Sequence, residues 1–441
     1  MRSVQVALGF RDHLRIEDGQ LTVGGVSCRK LAEQFGTPLY VLNENRIRSN
    51  LHAFQESLKR VYKRVLVCPA YKANSHLAVS RIYETEGAGA EVVSPVELRI
   101  ALDTGVPPEK IVYNGPVKKR EDLEFAIDSD VGLINADSVP ELDRMQEVAR
   151  RAKKRCNAGI RVNMGIKPET HPHLATALRE NKFGVWIGNA TVAYREATKK
   201  PDLNVIGMHS HIGSNIKDPE TIREMAAAIF RFAAQVKETV GLTLTKIDMG
   251  GGLGFPYQAD SQAMSQDEYA SAILEENLPT LEKLGNPTLI FEPGRAIVAD
   301  AGILLTKVEV VKRQGEQSWA IVDAGMNTLL RPALYEAKHQ VVAAEKTTAP
   351  ATVDYNLGGP CCESGDVIAK HAILPELGEG DLLAVLDVGA YGYTMSSNYN
   401  GQPRPAVVMV TDGRIELIRR REGYEDLTAG EIIPPHLKMK S

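Results

Sequence analysis

Residues 65–72 have the sequence VLVCPAYK, a short apolar run that ends in a lysine. The β-branched and apolar residues at its start predict a buried strand. Lysine is almost never fully buried without a partner, so Lys72 at the end of such a strand is unusual. A desolvated amine at the carboxyl end of a strand is well placed to condense with an aldehyde. Taken alone, the same pattern is also typical of a lysine that simply reaches solvent.

Seven more runs of this kind follow along the chain, and the segments between them have helical periodicity. Before the first strand, Ile47, Leu51 and Phe54 fall on one face of a predicted helix. Alternating strands and helices predict parallel strands joined by right-handed crossovers. Eight such units in about 250 residues are typical of an α/β fold, the (β/α)8 barrel, and a doubly wound open sheet is the alternative. The seven runs are residues 90–94, 110–115, 131–136, 158–163, 205–212, 246–250 and 288–292.

The pattern changes after residue 300, where short strands are separated by turns and little helix is predicted. This change indicates a second, mostly antiparallel β domain. Strand-like residues near the N terminus predict that the first segment of the chain joins it. We therefore predict a barrel over residues 38–298 and a β-rich domain formed by residues 1–37 and 299–441. The predicted strands after the barrel are residues 303–312, 318–323, 382–387 and 406–410.

The composition is that of an ordinary globular protein. The 441 residues carry a formal net charge of −4, and this length favours two domains over one core. No basic cluster predicts a nucleic-acid partner, and no run is long enough to predict a membrane span. The short apolar run at residues 4–10 is followed at once by charged residues, unlike a signal peptide. The five cysteines lack metal-ligand spacing, which predicts reduced thiols and a cytoplasmic location.

Two motifs follow the last two barrel strands. Residues 249–254 are MGGGLG, and such glycines let a backbone approach an anion and point N–H groups at it. A plain tight turn is the alternative, although the loops after the seventh and eighth strands are recurrent phosphate sites in barrels. Residues 292–295 are EPGR, in which Glu292 could bind a pyridine nitrogen and Arg295 could pair with a carboxylate. An internal Glu–Arg pair is the structural alternative.

His209 and His211 lie two residues apart and therefore on one face of a predicted strand. A metal pair is one interpretation, but no third or fourth ligand is apparent at comparable positions, so no metal site is predicted. A ring stacked on a planar cofactor is a second use of the same position. For His209, a core histidine with satisfied hydrogen bonds is a third.

Three polar segments between the later strands are rich in small residues. Each is also compatible with an ordinary loop or turn that has no catalytic role. They are DAGMNTLLRPALY (323–335), CCESGD (361–366) and GAYGYTMSSNYN (389–400).

Together these segments resemble the fold-type III pyridoxal-phosphate decarboxylases, and within that class they are most similar to the diaminopimelate decarboxylases. The agreement extends from about Thr37 to Asn400, and it implies an alanine-racemase-like barrel followed by a mostly antiparallel β domain. The loop HPHLAT (171–176) with KFG (182–184) resembles the substrate side of this family. The matching motifs, in order, are YKAN (71–74), HIGS (211–214), GGGLG (250–254), EPGR (292–295), DAGMN…RPALY (323–335), CESGD (362–366) and GAYG…MSSNYN (389–400).

The resemblance implies a pyridoxal 5′-phosphate enzyme and assigns roles to individual residues. Lys72 would carry the cofactor on its amine, His211 would stack on the pyridine ring, and Glu292 would bind the ring nitrogen. Cys362 would take part in catalysis, and with Glu363 it would reach into the site of a partner subunit, which implies a symmetric homodimer. The phosphate would be held by Ser214, Gly252, Gly294, Arg295 and Tyr391, and the substrate by Arg295, Arg331, Tyr335, Glu363 and Tyr391.

The implied reaction converts meso-2,6-diaminopimelate to L-lysine and carbon dioxide, the last step of lysine biosynthesis. A related decarboxylase of lysine, ornithine or a carboxylated polyamine is the near alternative. A non-catalytic cofactor carrier and a metal hydrolase are alternatives of a different class. Lys72 and Cys362 are both candidates for the proton donor. The chain departs from the family pattern at Glu91 (usually aspartate), Ala177 (usually glycine), Glu336 (usually smaller) and Cys361 (an added thiol).

Overall fold

A computed structural model describes residues 8–9, 11–166, 180–258 and 261–438 of the chain. The chain divides into two compact units. One is formed by Glu44–Ala301 and Gly389–Thr394, and the other by Met1–Asn43, Gly302–Val388 and Met395–Ser441. Among the described residues, no helix combines the length and the apolar character needed to cross a bilayer.

The first unit is a barrel of parallel strands, as the sequence predicts. Consecutive strands pair in parallel register around the sheet, and the first strand pairs with the last. The opposite edge is closed by backbone hydrogen bonds from Gly89 N to Val67 O (2.8 Å) and from Glu91 N to Pro69 O (3.2 Å). In the described part of the chain the eight barrel strands are Val65–Val67, Ala90–Val92, Ile111–Tyr113, Leu133–Ala136, Cys156–Asn163, Leu203–His209, Lys246–Asp248 and Thr288–Phe291.

The first barrel strand is shorter than predicted. It ends at Val67, and Lys72 lies instead in a short 3-10 turn, Tyr71–Ala73. Pro69 explains the difference, because proline has no backbone N–H with which to extend a ladder. The carbonyl of Pro69 still accepts from Glu91 N, so the barrel remains joined at this point.

Helices follow the barrel strands and cover the outside of the sheet. The longest, Pro219–Val240, begins at Asp218, whose side chain accepts from the Glu220 and Thr221 amides, and ends at Gly241 with a φ of 74°. These are typical N-cap and C-terminal signals. The other helices of this unit are Glu44–Val61, Leu77–Thr85, Pro95–Asp103, Arg120–Asp128, Val139–Ala152, Ile187–Ala197, Gln266–Leu274, Leu278–Lys283 and Arg295–Val298. The described part of this unit also contains the 3-10 turns Pro108–Lys110 and Glu275–Asn277 and the short strand Val185–Trp186.

The second unit is built on β-sheets, as predicted. Among its described residues most strand pairs are antiparallel, and two are parallel: Leu39–Asn43 with Ala406–Thr411, and Gln317–Val322 with Val353–Gly358. A small antiparallel sheet is formed by Leu14–Glu17, Gln20–Val23 and Val26–Ser27. The remaining strands are Gly302–Gln314, Val341–Ala343, Val367–Leu374, Leu382–Val385 and Arg414–Arg419. The helices are Cys28–Phe35, Arg331–Tyr335 and Tyr424–Thr428, with 3-10 turns at Tyr399–Gly401 and Pro435–Leu437, and a further 3-10 turn, Tyr393–Met395, spans the boundary of the two units.

The strand Leu39–Asn43 pairs with Gly302–Gln314 and Ala406–Thr411 and so belongs to the β unit. The domain boundary predicted from the sequence, at residue 38, would have placed this strand in the barrel unit, and the observed unit begins at Glu44. All five of its residues are buried, and Leu39 and Val41 pack in the apolar core of the β unit.

Candidate active site

The polar residues of the barrel unit collect at the carboxyl ends of its strands. Lys72 follows the first strand, Glu91 lies in the second, and Asn114 follows the third. His211 follows the sixth strand, and Glu292 follows the eighth. This is the face at which barrel enzymes carry their active sites.

Lys72 is held by Glu91. Its Nζ donates to Glu91 Oε2 in an ion pair, and Glu91 is 1% exposed. Burial alone would lower the pKa of Lys72, but Glu91, with Glu292 as a further negative group, outweighs it and raises the pKa well above the usual range. Lys72 is therefore charged and paired with Glu91.

Glu292 lies in a buried polar cluster. Its Oε1 accepts from Asn114 Nδ2 (2.5 Å), and its Oε2 lies 3.5 Å from His209 Nε2. Burial and the charge of Glu292 raise the pKa of Asp248 well above its usual range. Burial alone would also raise the pKa of Glu292, but His209, Lys72 and a hydrogen bond with Asp248 keep it well below its usual range. These opposite pKa shifts favour the ionised form of Glu292 and the protonated form of Asp248.

His209, Asp248 and Glu292 have ligand atoms within 4.8 Å of one another. These are donor types that a divalent cation accepts. Asp248 and Glu292 come from other strands than His209, so the local spacing of the histidines does not indicate them as ligands. The grouping includes His209 but not His211, so it differs from the histidine pair considered from the sequence.

His211 is a neutral imidazole. Burial and the positive charges of Arg161 and Lys72 lower its pKa to about 3. The Gly251 amide donates to His211 Nδ1 at 3.3 Å, which orients the ring. A Cβ at Gly250 would lie 2.8 Å from His211 Nδ1, so this glycine is needed for the close approach of the loop.

The loops after the sixth and seventh strands are joined to each other. Ile216 N donates to Gly252 O (2.8 Å), and Ile216 forms a parallel bridge with Leu253. Gly252 has a φ of 118°, and a Cβ there would lie 2.9 Å from Gly213 O. Only glycine fits such a position without strain.

Arg295 connects these loops to the end of the barrel. Its Nη1 donates to Tyr257 Oη (2.7 Å) and its Nη2 to Ser214 Oγ (3.1 Å). The guanidinium carbon lies 5.1 Å from the centroid of the Tyr391 ring, a cation–π distance. Tyr391 N donates to Ala73 O (2.8 Å), directly beside Lys72. A Cβ at Gly294 would lie 3.3 Å from Tyr391 Oη.

The barrel residues fit a phosphorylated pyridine aldehyde. Lys72 offers an amine, and the buried, ionised Glu292 offers an acceptor for a ring nitrogen. The loop at residues 250–252, in which Gly250 and Gly252 have positive φ, lies near Ser214. Its backbone is of the kind that can approach an anion closely. The structure therefore brings Lys72, His211, Glu292, Ser214, Gly252, Gly294, Arg295 and Tyr391 to one end of the barrel unit.

The other predicted residues lie in the β unit. Arg331 is 4% exposed, and its Nη1 donates to His339 Nε2 (2.8 Å), so His339 Nδ1 carries the proton donated to Leu386 O. Tyr335 ends the same short helix, and the next residue, Glu336, has a left-handed φ of 51°.

Cys362 and Glu363 are exposed on the β unit. The Cys362 amide donates to Asn400 Oδ1 (2.6 Å). The adjacent Cys361 is buried, its amide donates to Asp366 Oδ2 (2.7 Å), and burial raises the pKa of its thiol to about 11. The two neighbouring thiols therefore differ in environment, and Cys362 is the accessible one.

Several features of the site were not predicted from the sequence. Arg161 lies over the Phe183 ring (4.4 Å) and 3.8 Å from Asp137, and its charge acts on His211. Its position at the end of a barrel strand is the signal that would have identified it. The loop at residues 171–176 and Ala177 lie outside the described residues.

Comparison with known proteins places the chain in a family. Residues 44–299 match the family model named pyridoxal-dependent decarboxylase, pyridoxal binding domain. The diaminopimelate decarboxylase of Methanocaldococcus jannaschii is 40% identical over 432 residues, which cover 97% of this chain and 98% of that protein. The diaminopimelate decarboxylase of Pseudomonas aeruginosa is 40% identical over 428 residues, covering 96% of this chain and 100% of that protein.

Solved structures agree with this result. A crystal structure of the Methanocaldococcus jannaschii diaminopimelate decarboxylase superposes with a TM-score of 0.92 at 39% identity, covering 97% of this chain and 99% of that one. Another, of the same protein in complex with L-lysine, has a TM-score of 0.91 with the same coverage. The resemblance seen in the motifs is confirmed over nearly the whole length. The chain belongs to the diaminopimelate decarboxylases, a family of pyridoxal-dependent decarboxylases.

Proposed function

We propose that this protein decarboxylates meso-2,6-diaminopimelate to L-lysine and carbon dioxide with pyridoxal 5′-phosphate as cofactor, the last step of lysine biosynthesis. The observation that carries the proposal is the Lys72–Glu91 pair beside an ionised Glu292, at the carboxyl end of the barrel. Supporting it, the chain is 40% identical to a diaminopimelate decarboxylase over nearly its full length. A structure of that relative holds L-lysine, the expected product.

When bound, the cofactor supplies an aldehyde for the Lys72 amine and a protonated ring that withdraws electrons from the reacting carbon. Lys72 must lose a proton before its amine can react, and Glu91 Oε2 is the resident acceptor for that proton. Glu292 remains ionised and sustains a positive charge on a ring nitrogen through a charge-assisted hydrogen bond. His211 is neutral and can offer its flat face to the ring without adding charge.

The substrate carries a carboxylate and an ammonium at the end that does not react. Arg331 and Glu363 are the complementary pair that the family resemblance assigns to those groups. A site that buries unpaired charges rejects analogues lacking one of them, which would discriminate diaminopimelate from ornithine. Departure of carbon dioxide leaves a carbon that must take up one proton, and Lys72 and Cys362 are the candidate donors.

We also propose a homodimer with shared sites and a cytoplasmic location. Cys362 and Glu363 are exposed on the β unit and so are available to a partner subunit. All five cysteines are free thiols, as expected for a reducing compartment.

The test is release of carbon dioxide from meso-2,6-diaminopimelate by the purified chain, with and without added pyridoxal phosphate. Lysine, ornithine and a carboxylated polyamine serve as competing substrates. Cofactor-dependent release from diaminopimelate, well above that from the others, is expected. A preference for another substrate would overturn the assignment, and so would carbon dioxide release that requires an added divalent metal but no pyridoxal phosphate.

A further inference from the structure

Asn114 links the two carboxylates on which the proposed chemistry depends. It follows the third barrel strand and is 3% exposed. Its Nδ2 donates to Glu292 Oε1 (2.5 Å) and to Glu91 Oε1 (3.2 Å). One amide group therefore contacts both the partner of Lys72 and the carboxylate assigned to the ring nitrogen.

The direction of this amide is determined by its surroundings. Asn114 Oδ1 accepts from Asn135 Nδ2 at 2.8 Å. A flipped amide would place its oxygen against two carboxylates, which only accept when ionised. The NH₂ group of Asn114 must therefore face Glu91 and Glu292.

Asn135 extends the array to a third carboxyl group. It is 1% exposed, and its Nδ2 also lies 3.4 Å from Asp248 Oδ2. A carboxylate oxygen of Asp248 lies within 4.8 Å of one of Glu292. Asn114 and Asn135 thus join Glu91, Glu292 and Asp248 in one buried polar cluster, to which Lys72 is attached at Glu91.

We propose that Asn114 is a positioning residue that holds Glu91 and Glu292 in one hydrogen-bonded array and so aligns Lys72 with the ring-nitrogen carboxylate. An amide suits this place because it donates one N–H to each carboxylate and adds no charge. Aspartate would add a negative charge beside two others, and an apolar residue would leave both carboxylates without this donor. The inference rests on the proposed function and extends it to a residue that would touch neither cofactor nor substrate.

The experiment compares Asn114→Ala and Asn114→Ser with wild type and with Asn50→Ala. Asn50 is a matched control, since its amide donates to Asp300 Oδ1 (2.8 Å) and Ile297 O (3.0 Å) on the same unit. Three quantities are measured: the Kd of the apoprotein for pyridoxal phosphate, kcat with KM, and the acidic limb of the kcat–pH profile. A melting temperature for each variant reports its folding.

For Asn114→Ala we expect the Kd for pyridoxal phosphate to rise and kcat to fall, each by about 10- to 100-fold, as for loss of hydrogen bonds to charged groups. KM should change little, because the proposed role gives Asn114 no contact with the substrate. The acidic limb should move to higher pH, since Glu292 loses a donor that favours its ionised form. Asn114→Ser keeps one hydroxyl donor and should recover part of each loss.

The proposal is overturned if Asn114→Ala matches Asn50→Ala in cofactor affinity and in its acidic limb. It is also overturned if Asn114→Ser is folded and no better than Asn114→Ala. If Asn114→Ala does not fold, Asn114→Ser is compared with wild type in the same three quantities, and that comparison decides the proposal. If wild type binds pyridoxal phosphate but releases no carbon dioxide from diaminopimelate, the proposed function fails, and the comparison of Kd values still tests Asn114.

Discussion

The ammonium group of Lys72 lies beside a carboxylate that can accept its proton. Its ammonium pairs with Glu91, and the negative groups around it raise its pKa despite burial. An amine reacts as a nucleophile only when neutral, so each reaction at Lys72 requires transfer of a proton to a neighbour. Glu91 is the group in contact, and its extra methylene relative to aspartate lets it reach Lys72 and Asn114 together.

Glu292→Gln tests the ring-nitrogen carboxylate. Glutamine keeps the shape but removes the negative charge, so a positive charge on the ring is no longer stabilised. We expect kcat to fall by about 10²- to 10³-fold, as for loss of one preorganised electrostatic contact. Steady-state kinetics measure this, and Glu238→Gln, an exposed residue of the helix Pro219–Val240, is the control. Unchanged turnover in Glu292→Gln would contradict its assigned role.

The lowered pKa of His211 predicts that the stability of the fold decreases as the pH falls. Its pKa is about 3 in the folded protein, because burial and the charges of Arg161 and Lys72 oppose protonation. In the unfolded chain a histidine titrates near ~6.5. Between these values the unfolded state binds the additional proton, so the stability contributed by this group is present at neutral pH and is lost as the pH falls.

The measurement is the melting temperature of the apoprotein from pH 7 downward, for wild type and His211→Phe. Phenylalanine keeps an aromatic ring but cannot take up a proton. We expect wild type to lose more stability than His211→Phe over this interval, with the other acidic groups common to both. Parallel curves would mean that His211 titrates normally in the fold.

At the scale of elements, the loops after the sixth and seventh strands form a single structure. Ile216 N donates to Gly252 O, and Gly254 N donates to Ile216 O, both at 2.8 Å. Gly252, whose carbonyl accepts the first of these bonds, has a positive φ, and a Cβ there would clash with Gly213 O. The shape of the proposed phosphate cradle therefore depends on the absence of a side chain there.

Gly252→Ala should weaken cofactor binding. A Cβ 2.9 Å from Gly213 O would displace the loop that shapes the cradle, and since about 1.4 kcal/mol is a factor of ten, a Kd about tenfold higher is expected. Titration of the apoprotein with pyridoxal phosphate measures it. Gly285→Ala is the matched control, because Gly285 also has a positive φ (87°) but a Cβ there would have nothing within 4 Å. Equal effects of the two substitutions would show backbone strain alone rather than a role in the cradle.

The barrel strands were predictable from sequence because each is a short apolar run followed by a helical stripe. Their ends were less predictable. Pro69 ends the first ladder early, and residues 71–73 form a 3-10 turn instead of continuing the strand. The strand Leu39–Asn43 has the same apolar pattern as a barrel strand, and only its pairing with Gly302–Gln314 and Ala406–Thr411 assigns it to the β unit. Pairing between distant segments is not contained in local periodicity.

The site also depends partly on local motifs and partly on contacts between distant segments. Lys72 and Glu292 are found from sequence because their motifs stand out beside predicted strands. Asn114 is also found at the carboxyl end of a predicted strand, but Asn135 and Asp248 are not, and the connection among the three appears only when the barrel closes. The raised pKa of Lys72 likewise follows from its pairing with Glu91, which is 19 residues away along the chain.

At the scale of the whole molecule, the chain passes more than once between its two units. Gly389–Thr394 returns to the barrel unit from the β unit and brings Tyr391 beside Ala73. Arg331, Tyr335, Cys362 and Glu363 belong to the β unit. The substrate residues implied by the family motifs are therefore divided between the two units.

Mixed dimers test the proposed sharing of sites between subunits. Lys72→Ala subunits combined with Glu363→Ala subunits should recover activity, since one site of each mixed dimer is intact. With random mixing, half of the dimers are mixed, so about a quarter of wild-type activity is expected for a C₂ dimer. Lys72→Ala combined with Glu292→Gln is the control, because both residues lie in the barrel unit and no intact site forms. Absence of rescue, with mixed dimers verified by native mass spectrometry, would contradict shared sites.

The central claim is that Lys72 carries the cofactor. It is tested most directly by reducing the holoenzyme with borohydride, which fixes the cofactor to its lysine, and locating the pyridoxyl group by peptide mass mapping. The account predicts a single label, on the peptide containing Lys72, and none in Lys72→Ala. A label on another lysine, such as the buried Lys118, or no label in a folded protein that turns over diaminopimelate, would contradict it.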